Sequence, residues 1–504
     1  MKIAIFSTPD SGGAGKAALR LHNGLNQIGE DSTLFVKWKT VNNNTIVQLQ
    51  SPEINNRIFE KCVLDQFMSN VYDGNTMCSA MYPSIGFNYL KRIEDFDIVN
   101  LHWISTFISL ESIEKIRKMG KPIVWTLHDQ NPMTGACHYT HGCQKYKEEC
   151  SNCVQLKSNK YNIAQTILKA KLKYLPKDIV IVTPSRWLAD CAKQSAVFRN
   201  HRIEVIPNSL ETDIYRPIDK KRAKSNLGFS ASTRVILFGA QDLKERRKGF
   251  VELVDIVKHI RENEFISGLI RRNELNIVTF GHCSPLLDSM RIPYKSLGYI
   301  DDEQLLRTIY SAADVLALPS LEDNLPNLML ESLACGTPVV AFAVGGMLDI
   351  IQDRKNGFLV PIKDTKVFAE RISETLNGCS MEAYCRSFAE ENFRLEVQAK
   401  RYRQLFQELF DQIKSTAVQV TEVPPLYPEI ASAMATVICE ASTALQVELD
   451  GAEIEQNRLR EENRQLQAKV NQLQNEIVRL EAERTPIGIL CDRMWKKLRN
   501  VITI

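Results

Sequence analysis

LEDNLPNLMLESLACGTPVV, residues 321–340, holds the pattern that decides the reading of this 504-residue chain. Just upstream, VLALP (315–319) is a short apolar run of the kind a buried strand presents. Pro326 suits the first turn of a helix, where a missing N–H costs nothing, and Ser320, Asp323 or Asn324 can cap it. The spacing of Leu328, Leu330 and Leu333 continues that helix, Gly336 ends it, and VVAFA opens another strand. A strand–loop–helix–strand unit puts the loop at the carboxyl end of a parallel strand, where open α/β sheets bind ligands. Free N–H groups at the helix start favour an anion. Asp323 and Glu331, on either side of that loop, suit hydroxyl-rich groups such as ribose and sugar. A capping Asp and a solvated helix Glu would look the same from this stretch alone.

The same alternation extends outward. KIAIFS (2–7) reads as a first strand, followed by the glycine-rich turn DSGGAGKAA and an amphipathic helix ending near Gly29. STLFV, DIVNLHW, PIVWTLH and IVIVTPS are further strands, separated by helical patterns such as LESIEKIRKMG. A second series runs RVILFGA (234–240), LNIVTFG, DVLALPS and PVVAFA. The pattern predicts two doubly wound parallel sheets joined near IPNSLETDIYRP (206–217), with a cleft between the lobes.

Hydrophobic content of 44% with 24% charged residues is ordinary for a globular protein, and a net charge of +3 gives no bulk field for nucleic acid. The start MKIAIFSTPDSGG is too short in apolar residues for a signal peptide, and no run of 18 apolar residues follows. The expected location is therefore the cytoplasm. Thirteen mostly scattered cysteines agree with a reducing compartment. GAGK resembles a phosphate-binding P-loop only superficially: Ala17 follows Lys16, and no glycine lies five residues before Gly15.

With these motifs placed, PSLEDNLPNLMLESLACGTPVVAF resembles the donor-site signature of retaining GT-B glycosyltransferases of family 4. RRKGF (246–250), IPNSLE (206–211) and GYIDDEQLLRTIYSAADVLALPS (298–320) stand in the order that family uses. SGGAGKAALRLH, NLHW and TLHDQNPMTGACHYTHGC resemble its colanic acid glycosyltransferase branch, so the likeness covers about residues 1–410. It implies an α/β chain of two Rossmann-like domains: an acceptor side (1–208), a nucleotide-sugar donor side (209–395) and a closing helix (396–415). It implies a hexosyltransferase that takes a nucleotide sugar and a polysaccharide or lipid-linked acceptor, needing no cofactor for catalysis. Under the resemblance, Glu331 holds the ribose, and Asp323 stands where the first Glu of the E-x7-E motif usually lies; adjacent Glu322 is the alternative carboxylate. Asn324 and Leu325 present loop amides to the donor, Arg247 and Lys248 neutralise the diphosphate, and His128 lies near the reacting sugar. His102 is a second histidine candidate. Gly12 and Gly13 allow close backbone approach to phosphate or acceptor. Many relatives carry Gly-Arg after the first strand of the donor domain; here Gly239-Ala240 stands there, with Lys244 or Arg246 as compensating cations. A non-catalytic scaffold on this fold is the alternative reading, and a sugar-nucleotide epimerase a third.

Breaking a sugar–phosphate bond builds negative charge on the departing diphosphate, so fixed cations and amide dipoles there favour the transition state. Arg supplies a bidentate fork and Lys a point charge. Cys137, Cys143, Cys150 and Cys153, ending in C-x-x-C, fit a structural zinc site, with redox disulfides and buried thiols also open. A linker (416–444) precedes Leu459, Leu466, Leu473 and Leu480 at sevens, with Asn463, Val470 and Ile477 between. That seam predicts a coiled coil over 445–484, and Asn463 at an a position favours a parallel homodimer. The tail 485–504 combines Leu490, Trp495 and Leu498 with Arg493, Lys496, Lys497 and Arg499, a composition suited to peripheral contact with an anionic membrane surface.

Overall fold

The computed structural model describes residues 1–49, 70–81, 92–159, 162–242, 245–282, 291–378, 380–414, 458–459, 461–472 and 474–475. The first sheet is built from β1 (Lys2–Pro9), β2 (Asp31–Trp38), β3 (Ile46–Gln48), β4 (Ile98–Leu101), β5 (Ile123–Thr126), β6 (Val180–Thr183) and β7 (Ile203–Val205) in the order β3-β2-β1-β4-β5-β6-β7. The second contains β8 (Arg234–Asp242), β9 (Leu275–His282), β10 (Tyr294–Ser296), β11 (Val315–Leu318), β12 (Val339–Phe342) and β13 (Gly357–Val360) in the order β10-β9-β8-β11-β12-β13. Every paired strand runs parallel. The chain has the expected GT-B architecture of two doubly wound Rossmann-like lobes.

Physics explains the runs that signalled the strands. VLAL, VVAF, IVWT and VIVT are buried at every position, because helices cover both faces of a parallel sheet. Helix starts follow capping chemistry: Ser109 accepts from the Ser112 N–H, and Ser185 from that of Leu188. The helix Asn327–Ala334 begins after Pro326 and stops at Gly336, whose φ of +80° is the left-handed turn a glycine tolerates.

In each sheet the strand order reverses direction beside the first strand, β1 next to β4 and β8 next to β11. The carboxyl ends at these switch points are where ligands bind in such sheets. The last long helix, Leu395–Lys414, returns to the first lobe: Ala399, Tyr402, Leu405, Phe406 and Leu409 share its core with Ile3, Ile5, Val124 and Val182. Gly24 admits this helix, since a Cβ there would lie 2.7 Å from the Leu395 carbonyl oxygen.

Among the described residues no helix is long and apolar enough to cross a membrane. Residues 458–459, 461–472 and 474–475 are helical, with Leu459, Leu466 and Val470 exposed. The rest of the predicted coiled coil, the linker after 415 and the tail 485–504 lie outside the described residues.

Candidate functional site

The loop after β11 lies against the Arg246–Lys248 turn. Asp323 Oδ2 is 2.7 Å from Lys248 Nζ, and its Oδ1 is 3.3 Å from Arg247 Nη1. The Asn324 N–H and the Tyr139 hydroxyl also donate to Oδ1, at 3.0 and 3.3 Å. Burial pushes the Asp323 carboxyl up, but Lys248 and Arg247 outweigh it and hold it below the ordinary carboxylate range. Burial and the Arg247 charge lower the Lys248 pKa, against the pull of Asp323. Arg247 lies over the Tyr139 ring, Cζ to centroid 4.0 Å, and its Nε is buried without a protein partner. Asp323 is thus an ion-paired carboxylate rather than a helix cap.

Glu331 is only 6% exposed, so the solvated-helix reading fails. Its Oε1 accepts from Arg20 Nη2 at 3.1 Å, and its Oε2 from the Tyr310 hydroxyl at 2.9 Å. Arg20 comes from the helix Gly12–Gln27 of the first lobe and also donates from Nε to Glu211 at 2.8 Å. Burial opposes the Arg20 charge, yet Glu211 and Glu331 more than offset it and raise its pKa. Its Nη1 has no protein partner.

Other first-lobe groups reach the same loop. Glu322 accepts from the His141 N–H at 2.9 Å and the Thr140 hydroxyl at 3.3 Å, so it faces the first lobe while Asp323 faces the cations. Asn324 donates from Nδ2 to the His128 carbonyl at 3.0 Å and accepts from Ser185 Oγ at 2.6 Å. Asn327 Nδ2 donates to the Gly13 carbonyl at 3.2 Å. Gly12, the first residue of the helix Gly12–Gln27, takes φ +69°, and a Cβ added at Gly12 or Gly13 would meet no atom within 4 Å. That open space agrees with close approach of a ligand. Leu325 is buried beneath the loop.

His128 follows β5 and is half-buried, with His102 beside it after β4. Asp129, next in the chain, accepts from Trp103 Nε1 at 3.0 Å and contacts His138 Nδ1 at 2.6 Å, while His138 Nε2 lies 2.7 Å from Ser79 Oγ. Lys171 donates from Nζ to the Asn131 and Thr134 carbonyls, at 2.6 and 2.9 Å. These buried groups brace the segment after His128 from within the protein.

Cys78 pairs with Cys137 across an isolated bridge, and Cys137, Cys143, Cys150 and Cys153 are free thiols. Among the described residues no three His, Cys, Asp or Glu side chains are grouped to hold a metal ion. Arg246 does not replace the missing Gly-Arg cation: Glu252 engages its guanidinium through two 2.6 Å bonds. Lys244 lies outside the described residues.

Several site residues escaped the sequence reading. Arg20, Glu211 and Tyr139 lay inside quoted motifs without a role. Gly345 and Gly346 sit under the loop after β11, where a Cβ would fall 1.7 Å from the backbone carbonyl oxygen of Asp323 and 1.9 Å from that of Asn324. The signal was the Gly-Gly pair two residues past the strand Val339–Phe342, where a backbone can approach closely.

Residues 233–378 match the family model for glycosyl transferases group 1. A D-inositol 3-phosphate glycosyltransferase of Mycobacteroides abscessus is 29% identical over 188 residues, 35% of this chain and 39% of that protein. The putative colanic acid biosynthesis glycosyl transferase WcaC of Escherichia coli is 22% identical over 272 residues, 51% of this chain and 61% of that protein. The chain thus spans 39% and 61% of the length of these two relatives, less than two thirds of either. Among solved structures, a sucrose-phosphate synthase of Thermosynechococcus elongatus superposes with TM-score 0.58 at 20% identity, over 82% of this chain and 99% of that one. Anabaena HepE in complex with UDP-glucose gives 0.52 at 12% identity, over 81% and 100%. The second lobe matches glycosyl transferases group 1 over residues 233–378, in a chain with the two-lobed GT-B fold.

Proposed function

We propose that the chain is a retaining glycosyltransferase that moves a sugar from a nucleotide-sugar donor to a polysaccharide or lipid-linked oligosaccharide acceptor. The observation that carries this reading is the convergence of Arg247, Lys248 and Asp323 at the carboxyl end of β11, at a switch point of the second sheet. Cations there balance the charge that grows on a departing diphosphate, with the Leu325 amide beside them, while the Asn324 N–H is held by Asp323 Oδ1. Glu331 is fixed by Arg20 and Tyr310 but uses two of about four lone-pair directions, which leaves room for ribose hydroxyls. His128, one hydrogen bond from Asn324, faces the sugar. First-lobe contacts to Glu322, Asn324 and Asn327 close the lobes over the donor, which limits loss of the sugar to water. The heptad leucines make the working form a parallel dimer in this proposal, held at the inner face of a membrane by its basic tail.

Thermal unfolding with a panel of nucleotide sugars tests the reading, since a donor at a hundred times its Kd adds about 2.7 kcal/mol. If no nucleotide sugar raises the transition, the donor site is misread. Product anomericity checks retention, and light scattering before and after removal of residues 440–504 checks the dimer.

A further inference from the structure

His102 and His128 stand at the ends of neighbouring strands with rings stacked, centroids 5.1 Å apart and planes at 27°. His128 Nε2 lies 2.9 Å from His102 Nδ1, and His102 Nε2 lies 2.9 Å from Asn100 Oδ1. The proton on each ring follows from the far end of this line. Asn100 Nδ2 is 3.1 Å from the Val124 carbonyl oxygen and 3.0 Å from Thr126 Oγ1. A carbonyl only accepts, so the amide nitrogen must face it, and the amide oxygen must face His102. His102 Nε2 therefore carries the hydrogen. Burial lowers the His102 pKa well below its ordinary value, with His128 adding to the shift, and it lowers that of His128 to about 4 against the opposing charge of Asp129. With both rings neutral, His102 Nδ1 holds a lone pair, and only a hydrogen on His128 Nε2 can satisfy the 2.9 Å contact. The nitrogen left over is His128 Nδ1, without a hydrogen. The line is anchored further back, because Thr126 Oγ1 also bonds the Tyr402 hydroxyl of the returning helix at 3.0 Å.

We propose that Asn100 and His102 are positioning residues that lock His128 in its Nε2–H tautomer, so that His128 Nδ1 meets the donor sugar as a hydrogen-bond acceptor. The sugar part rests on the donor-site reading above. A lone pair at that spot takes a hydrogen bond from a sugar hydroxyl and gives none to a phosphate oxygen. His128 then orients the sugar, and Arg247 and Lys248 handle the charge.

Nitrogen-15 histidine spectra of the full chain near neutral pH read the lock without any ligand. The expected spectrum has His128 with an unprotonated Nδ1 and a protonated Nε2, assigned by loss of its signals in His128→Gln. In Asn100→Leu the His128 signals should move toward a tautomer average, and in His102→Phe, which retains a stacked ring but no acceptor, they should do the same. Both variants should lose roughly tenfold in kcat while binding of the free nucleoside diphosphate stays unchanged, a split that general loosening of the fold would not give. A protonated Nδ1 in the wild-type chain overturns the proposal whether or not the variants fold, and so does a His128 spectrum that ignores a folded Asn100→Leu. If the spectra are as expected but no nucleotide sugar binds, the donor reading falls and the lock stands.

Discussion

Arg20 and Glu331 join the two lobes through a buried ion pair, Nη2 to Oε1 at 3.1 Å, with both side chains almost sealed from solvent. Breaking one side of such a pair leaves the other charge uncompensated, a loss of roughly 3–5 kcal/mol when no second partner remains. Arg20 still has Glu211, so Glu331→Ala should cost about 2–3 kcal/mol in urea unfolding. Arg20→Met combined with Glu331→Ala should cost clearly less than the sum of the single changes. Additive losses would mean that the pair does not couple the lobes.

The same Glu331→Ala change should weaken binding of the free nucleoside diphosphate as much as that of the nucleotide sugar, because both contain ribose. The loss expected for a charge-assisted bond is roughly ten- to a hundredfold. Calorimetry with both ligands measures it. Equal affinity for the diphosphate in wild type and variant would remove Glu331 from the ribose.

Lys248→Met should lower turnover roughly a hundredfold, the scale seen when one fixed donor to developing charge is lost. Nucleotide affinity should fall much less, because Arg247 remains. Steady-state kinetics read as kcat against KM separate the two. A change confined to KM contradicts a role in leaving-group stabilisation.

Gly345→Ala and Gly346→Ala should each cost roughly 2 kcal/mol or more, since a methyl group would collide with the backbone that carries Asp323 and Asn324. Gly345 also sits at φ +56°. The expected signature is a lowered Tm together with lost nucleotide binding, whereas Gly142→Ala, with open space around it, should leave nucleotide binding intact.

Acid should destabilise the first lobe through His22. It is fully buried between Ser32 and Thr45, and burial lowers its pKa from 6.5 to about 4. The unfolded chain therefore binds the proton more readily. His22 contributes stability above pH 6.5 that is lost as pH falls toward 4. The full effect is on the order of 3 kcal/mol. His22→Gln should flatten this slope in urea midpoints measured between pH 7 and pH 5.

The long central strands were legible because sheets covered on both faces demand unbroken apolar runs. The edge strands β3, β7, β10 and β13 were not: three or four residues each carry too little pattern. In the site, type and spacing singled out Asp323 and Glu331, the family resemblance added Arg247 and Lys248, and the structure brings Asp323 together with both cations. Arg20, Tyr139 and Glu211 were missed because their roles depend on the lobes meeting. Arg20 and Glu331 are 311 positions apart in the chain, and local periodicity carries no trace of such a contact.

The returning helix has a consequence for biosynthesis. Residues emerge from a ribosome in order, and domains generally fold as units while they do so. Every strand of the second sheet is available before Ala399, Tyr402, Leu405, Phe406 and Leu409 appear. The first lobe must therefore wait, with an apolar trough uncovered, while its neighbour is made. The lobe begun first is completed last, and a chain stopped near residue 394 would carry a finished second lobe beside an unfinished first one.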